Sequence, residues 1–161
     1  MNRIITIGRE FGSGGRELGR RLSEELGFAY YDQEIISEIA RRTEMSEQYV
    51  QSIVEHQPSF AFPIHIGRSF YPAPTPVFDQ SMTVYQEQAR IITEMAQKSD
   101  CVIVGRCGDY ILRDYQPFRM FVYADMESKM KRCRAKAPEE EKMTDRELKQ
   151  HILGIDKKRA R

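Results

Sequence analysis

Apolar and polar positions follow two rhythms along this chain. Continuous apolar runs bounded by turn residues occur at about 3 to 8, 28 to 31, 101 to 105 and 118 to 123, and such runs suit short strands of a buried parallel sheet. Between them the spacing is helical. Leu18, Leu22 and Leu26 recur at i, i+4 and i+8 among Arg20, Arg21, Glu24 and Glu25, which predicts a helix with one buried leucine stripe, ended by Gly27. Ile35, Ile36, Ile39 and Ala40 form the apolar side of a second helix, with Asp32 placed to cap its start and Arg41 and Arg42 in its last turn, where they favour the dipole. Ser46 predicts the N-cap of a short helix through Tyr49, Val50, Ile53 and Val54. Met82, Tyr85, Ala89, Ile92 and Met95 or Ala96 predict a longer helix from Ser81 to about Lys98. Asp125 opens a helix that buries Met126, Met130 and Cys133, and Thr144 with Glu147 forms a capping box ahead of Leu148, Ile152 and Ile155. Strand, turn, helix and strand within about 30 residues make an α/β unit, so the fold class is α/β with a parallel sheet.

Two stretches break the rhythm. From about His56 to Asp79 the chain carries Pro58, Pro63, Pro72, Pro74 and Pro76, interleaved with Phe60, Phe62, Phe70, Tyr71 and Phe78. That composition opposes regular helix yet is too aromatic for a plain linker, and it predicts a long loop ordered by itself or by a ligand. His65, Arg68 and the aromatics are candidates to contact a base or a phosphate, with a plain surface histidine as the alternative for His65. Pro138, followed by Glu139, Glu140, Glu141 and Lys142, divides the charged region from Lys129 to Arg161 into two helical parts.

The chemistry concentrates at Ile4–Gly19. A run of β-branched residues leads into Gly12, Ser13, Gly14 and Gly15 and then into a helix start. Glycines there allow a tight turn that aims several N–H groups at one point, and the helix N-terminus adds partial positive charge, so an anion belongs at this turn. The sequence departs from the phosphate-loop pattern G-x-x-x-x-G-K-[ST]. With Gly14 as the second glycine, Arg9 occupies the first glycine position, Gly15 replaces the lysine and Glu17 falls near the hydroxyl. Arg9 and Arg16 supply charge instead, as flat bidentate forks and not as a compact ammonium. A second candidate is Arg106, which follows the apolar run Cys101–Val104 and belongs at a strand's carboxyl end, where open parallel sheets bind ligands. Asp109 lies within reach of it or caps the segment Tyr110–Arg113.

Composition narrows the function classes. A chain of 161 residues suits one domain. Its 25 basic and 24 acidic residues leave a formal charge of +1, so bulk charge directs it neither to nucleic acid nor to a membrane, and any anion site is local. Cys101, Cys107 and Cys133 form neither an even framework nor a C-x-x-C pair, which fits a reduced cytosol, and no apolar run reaches the length of a signal or a membrane span. The expected location is cytoplasmic.

The segment Ile7–Gly19, followed by Leu26-Gly27-Phe28-Ala29-Tyr30-Tyr31-Asp32, closely resembles the cytidylate kinase-like family, a nucleoside monophosphate kinase branch of the phosphate-loop proteins. Val104-Gly105-Arg106 resembles the segment after that family's third strand, and Asp156-Lys157-Lys158-Arg159-Ala160-Arg161 its basic helix near the lid. The resemblance implies a three-layer kinase fold over residues 1–161, with helices on both faces of the sheet, an acceptor-binding segment at 33–80 and a lid at about 132–146. It also implies ATP and Mg²⁺ as cofactors. ATP phosphates are then expected at Arg9, Gly12, Ser13, Gly14, Gly15, Arg16 and Glu17, and the acceptor at Asp32, Arg41, Arg106 and Asp109. Arg16, Arg132 and Arg159, with Lys158 and Arg161, are expected to stabilise charge on the transferred group, and Glu17 or Asp109 to hold Mg²⁺. The implied reaction is ATP-dependent phosphoryl transfer to a nucleoside monophosphate, CMP or dCMP. The missing lysine and hydroxyl favour an alternative, a regulatory nucleotide-binding module with little turnover, and a kinase of the same fold for another small acceptor is a third reading. The family pattern continues into a further strand, so the 161-residue form is expected to be less stable than a longer one, or to hide a free sheet edge in a homodimer.

Overall fold

Four parallel strands, β1 (Ile4–Arg9), β2 (Ala29–Tyr31), β3 (Cys101–Val104) and β4 (Phe118–Val122), lie in the order β2-β3-β1-β4 in this computed structural model, which describes residues 1–55, 76–136 and 142–159. β1 is central, with Ile7 opposite Val104 on one side and Met120 on the other. The chain leaves β1 for β2 on one side and reaches β4 on the other, so a crevice opens at the carboxyl end of β1. Ile7, Val102, Ile103 and Val104 are almost wholly buried, which is why these segments read as continuous apolar runs and not as alternations.

Helices cover both faces. On one, α2 (Gln33–Thr43), α3 (Glu47–Glu55) and α4 (Pro76–Lys98) bring Ile35, Ile39, Val50, Val84, Ile91 and Ile92 against Ile4, Cys101 and Ile103. On the other, α1 (Gly15–Leu26) lies over Ile5, Ile7, Val102 and Val104, with Leu22, Phe28 and Tyr30 partly buried beside them. The short helix α5 (Gly108–Ile111) follows β3. At the carboxyl end of the sheet, α6 (Met126–Lys136) and α7 (Asp145–Arg159) pack Cys133, Leu148 and Ile152 around Phe11 of the glycine turn. Ser46 accepts the Tyr49 N–H at 3.3 Å, and Thr144 and Glu147 form the reciprocal cap, with the Thr144 N–H donating to Glu147 Oε2 at 2.8 Å.

Three expectations are corrected. α1 does not bury a leucine stripe: Leu18 and Leu26 are exposed, and its buried residues are Gly15, Gly19 and Ser23. A Cβ on Gly19 would stand 2.8 Å from Val104 Cγ2 and 3.1 Å from Ile7 Cδ1, so the helix lies too close to the sheet for any larger side chain. Gly19→Ala is therefore expected to lose about 1–2 kcal/mol in a urea titration, overpacking outweighing the roughly 1 kcal/mol gained in helix propensity; equal or greater stability would show that the helix can move away. The loop expected to run to Asp79 ends earlier, at Pro76, since proline suits a first helical position whose N–H has no intrahelical partner. The rest of that stretch, with His65 and Arg68, lies outside the described residues, as do Pro138 and Arg161. Finally, Asp32 makes no side-chain cap to α2.

β4 is an edge strand, and its Phe118 and Phe121, with Tyr123 just beyond, are exposed. Among the described residues, no helix is long and apolar enough to cross a membrane.

Candidate phosphate and acceptor site

The glycine turn joins β1 to α1 with Gly12 at φ 73° and Gly14 at φ 86°, left-handed values that disfavour a side chain. Gly14 is the N-cap of α1 and carries no side-chain cap, so no N-cap side chain occupies the first N–H groups of the helix. A Cβ on Gly14 would fall 2.8 Å from Arg132 Nη1, which places that guanidinium directly over the turn. One on Gly15 would meet Arg9 Cβ at 2.7 Å. The helix start is packed against Arg9, and this explains glycine where phosphate loops carry lysine. The Ser13 hydroxyl turns back to donate to the Glu10 carbonyl at 2.8 Å.

The turn is tied to the C-terminal helices by a buried ionic cluster. Phe11 N–H donates to Asp156 Oδ1 at 2.6 Å, and Lys129 Nζ reaches Asp156 Oδ2 at 2.9 Å and Glu10 Oε2 at 2.5 Å. Lys129 is only 5% exposed. Burial alone would pull its pKa down, but hydrogen bonds to Glu10 and Asp156 outweigh it and leave the pKa raised.

Above β1 stands a second, more positive cluster. Asp32, 2% exposed, pairs with Arg16 Nε and lies 3.9 Å from Arg9 Nη2. The pKa of Arg9 is held down to about 10, first by burial and then by Arg159, with Asp32 opposing and Arg16 and Arg106 adding to the depression. An arginine stays protonated at neutral pH, so Arg9 carries its charge in a buried setting that neighbouring arginines make still more positive. A bound anion would offset the part of the depression that comes from Arg159, Arg16 and Arg106.

Two cavities meet at this cluster. The smaller, about 330 Å³, is bounded by the glycine turn, Arg16, Glu17, Arg132 and Lys136. The larger, about 910 Å³, lies over the carboxyl ends of β1 and β3 and takes in Tyr85, Gln88, Arg106, Asp109, His151 and Lys158. Arg9, Arg16 and Arg159 line both. Arg106 is delivered by a left-handed turn in which Gly105, Arg106 and Cys107 have φ of 72°, 60° and 54°. That conformation costs about 1–2 kcal/mol for each non-glycine residue. It is braced by Gln88 Nε2, which donates to the Arg106 carbonyl at 2.9 Å, and by the Gly108 N–H, which donates to that of Gly105 at 3.1 Å.

The structure thus gathers Arg9, Gly12, Gly14, Gly15, Arg16, Glu17, Arg132 and Arg159 at the smaller cavity, Arg106 and Asp109 at the larger, and Asp32 beneath the arginines joining them. It does not bring Arg41 there. Arg41 is 71% exposed, grips Glu38 at 2.7 Å one helical turn back and borders neither cavity. Sequence reading did not single out Lys129, Asp156 or Gln88. The first two lie among many solvated charges, and glutamine spacing on an amphipathic helix carries no signal for a contact to a distant turn.

The described residues of the smaller cavity do not fit a resident Mg²⁺. Its two described carboxylates are engaged by cations, Glu17 with Arg21 at 2.6 Å and Lys136 at 3.1 Å, and Glu10 with Lys129, while Asp109 lines only the larger cavity. Both cations hold the Glu17 pKa down, Lys136 first. Among the described residues no group of three or more His, Cys, Asp or Glu side chains could hold a metal.

The chain is similar to an uncharacterized protein from Eubacterium ventriosum ATCC 27560, whose crystal structure it matches with a TM-score of 0.63 at 25% identity over 98% of this chain and 73% of that one. It also matches the shikimate kinase from Bacteroides thetaiotaomicron, with a TM-score of 0.58 at 16% identity over 98% and 80% of the two chains, a likeness of fold. A comparison with curated proteins finds no match. Residues 4–161 match the cytidylate kinase-like family. With nearly the whole chain inside that match, and a kinase-type sheet ending in a glycine turn ringed by arginines, the protein belongs to the cytidylate kinase-like family, whose character is kinase-like and nucleotide-binding.

Proposed function

We propose that the protein transfers the terminal phosphoryl group of ATP, held at the glycine turn, to a nucleoside monophosphate, CMP or dCMP, held in the larger cavity. The observation that carries this reading is the meeting of two cavities along Arg9, Arg16 and Arg159. Donor and acceptor bound on either side of these arginines face each other across positive charge. An acceptor phosphate oxygen forms the new bond to the terminal phosphorus, the bond from that phosphorus to the bridging oxygen breaks, and ADP leaves with the electron pair. The protein's part is alignment and charge neutralisation, which dominate phosphoryl transfer. Kinases of this kind generally take ATP with Mg²⁺, and when present the metal neutralises charge on the phosphates. Here Arg132 over the turn and Arg16 at the helix start hold the donor, while Arg106 takes the acceptor phosphate.

A coupled assay of ADP release across nucleoside monophosphates and small alcohols tests this. CMP or dCMP is expected to give the highest kcat/KM, and a small alcohol as the preferred acceptor would overturn the substrate assignment. Arg132→Ala is expected to raise the KM for ATP by about tenfold or more, the loss of one charge-assisted contact of roughly 1.5–3 kcal/mol. A second reading, nucleotide binding with little turnover, is favoured by Gly15, since no lysine follows the turn to reach the outer phosphates. ATP binding without ADP release from any acceptor would select it.

A further inference from the structure

We propose that the smaller cavity takes a nucleoside triphosphate as the metal-free polyanion, its phosphates neutralised by arginines in place of a bound divalent cation. The inference rests on the donor site proposed above and concerns the chemical form in which that site takes its ligand.

Three related observations converge on it. First, Arg9, Arg16, Arg132, Lys136 and Arg159 border the cavity, while its carboxylates Glu10 and Glu17 each already hold cations of the protein. Second, the geometry of the turn withdraws the groups that ordinarily approach a nucleotide's metal. Glu17 stands near the usual hydroxyl position with its oxygens on Arg21 and Lys136, and the Ser13 hydroxyl turns back to donate to the Glu10 carbonyl. Third, Asp32, the fully buried carboxylate of the region among the described residues, pairs through Oδ2 with Arg16, and its Oδ1 lies 3.9 Å from Arg9 Nη2, so it already faces two guanidinium groups.

Electrostatics then decide between the two forms of the ligand. Without metal, a triphosphate presents its full negative charge to a cavity bordered by five cationic side chains, Arg9, Arg16, Arg132, Lys136 and Arg159, whereas a prior Mg²⁺ reduces that attraction and adds one more cation among them. Guanidinium forks match phosphate oxygens pairwise and are less strongly hydrated than an ammonium, so several of them can surround one polyphosphate.

Calorimetric titration of the full chain with ATP, once in EDTA and once with excess Mg²⁺ at matched ionic strength, tests the proposal. ATP in EDTA is expected to bind about tenfold or more tightly than in Mg²⁺, and inorganic tripolyphosphate in EDTA is expected to compete with it. Arg132→Ala is expected to weaken metal-free binding while leaving the unfolding transition in place. Tighter binding in Mg²⁺ than in EDTA would overturn the inference and leave the donor site standing. Binding in neither buffer would overturn the donor site and the inference with it.

Discussion

Asp32→Asn is expected to lower the unfolding free energy by about 3–5 kcal/mol, a loss that added tripolyphosphate partly restores. Asp32 is 2% exposed and is the carboxylate that pairs with Arg16 and neighbours Arg9. Arg159, Arg16 and Arg106 already push against the charge on Arg9. Removing one partner of a buried ionic group leaves uncompensated charge behind, which accounts for the magnitude. An anion placed among the arginines supplies the missing negative charge, and whatever binds the native state alone stabilises it by mass action. Urea titrations of both proteins, with and without tripolyphosphate, check both parts. The variant should gain more from the anion than the parent does. A variant as stable as the parent, or one gaining less than the parent, would mean that Asp32 does not balance this cluster.

Asp32 also shows what was legible in the sequence. Its position after Tyr30-Tyr31 and before an amphipathic helix fits an N-cap, and local spacing cannot distinguish a cap from a carboxylate turned inward toward a distant strand end. The strands and most helices were legible because period and capping chemistry are local: the Thr144–Glu147 cap is a four-residue pattern, and the buried runs of β1 and β3 need no partner to be read. The helix face of α1 was not legible, because Gly15 and Gly19 are buried for closeness to Arg9, Val104 and Ile7 and not for hydrophobicity. Within the site, Arg9, Arg16 and Arg106 were legible from their places at strand ends and the glycine turn. Arg41 was read toward the acceptor from resemblance alone, and a glutamate three residues earlier holds it at the surface.

Lys129 gives the second large effect. Lys129→Met is expected to lower stability by about 2–4 kcal/mol and to weaken nucleotide binding by about tenfold, although Lys129 borders neither cavity. Its ammonium separates Glu10 from Asp156, two carboxylates within 2.5 and 2.9 Å of the same nitrogen. Without it they repel each other, and Asp156 loses the partner that steadies its hydrogen bond from the Phe11 N–H. The glycine turn, which holds the donor phosphates in the function proposed above, is thereby loosened. Partial exposure of Glu10 lets water take up some of the strain, which sets the lower end of the range. The double variant Glu10→Gln/Lys129→Met, which removes the repulsion, is expected to recover part of the loss in a double-mutant cycle. The sign of the pH dependence follows from the raised pKa of Lys129. Its contribution is fully present below the pKa of lysine in the unfolded chain and disappears as pH rises through the higher folded value. Parent and variant should therefore differ by a constant amount across neutral pH and converge in strongly alkaline solution. A difference that is already absent at neutral pH would show that the cluster does not hold the turn in place.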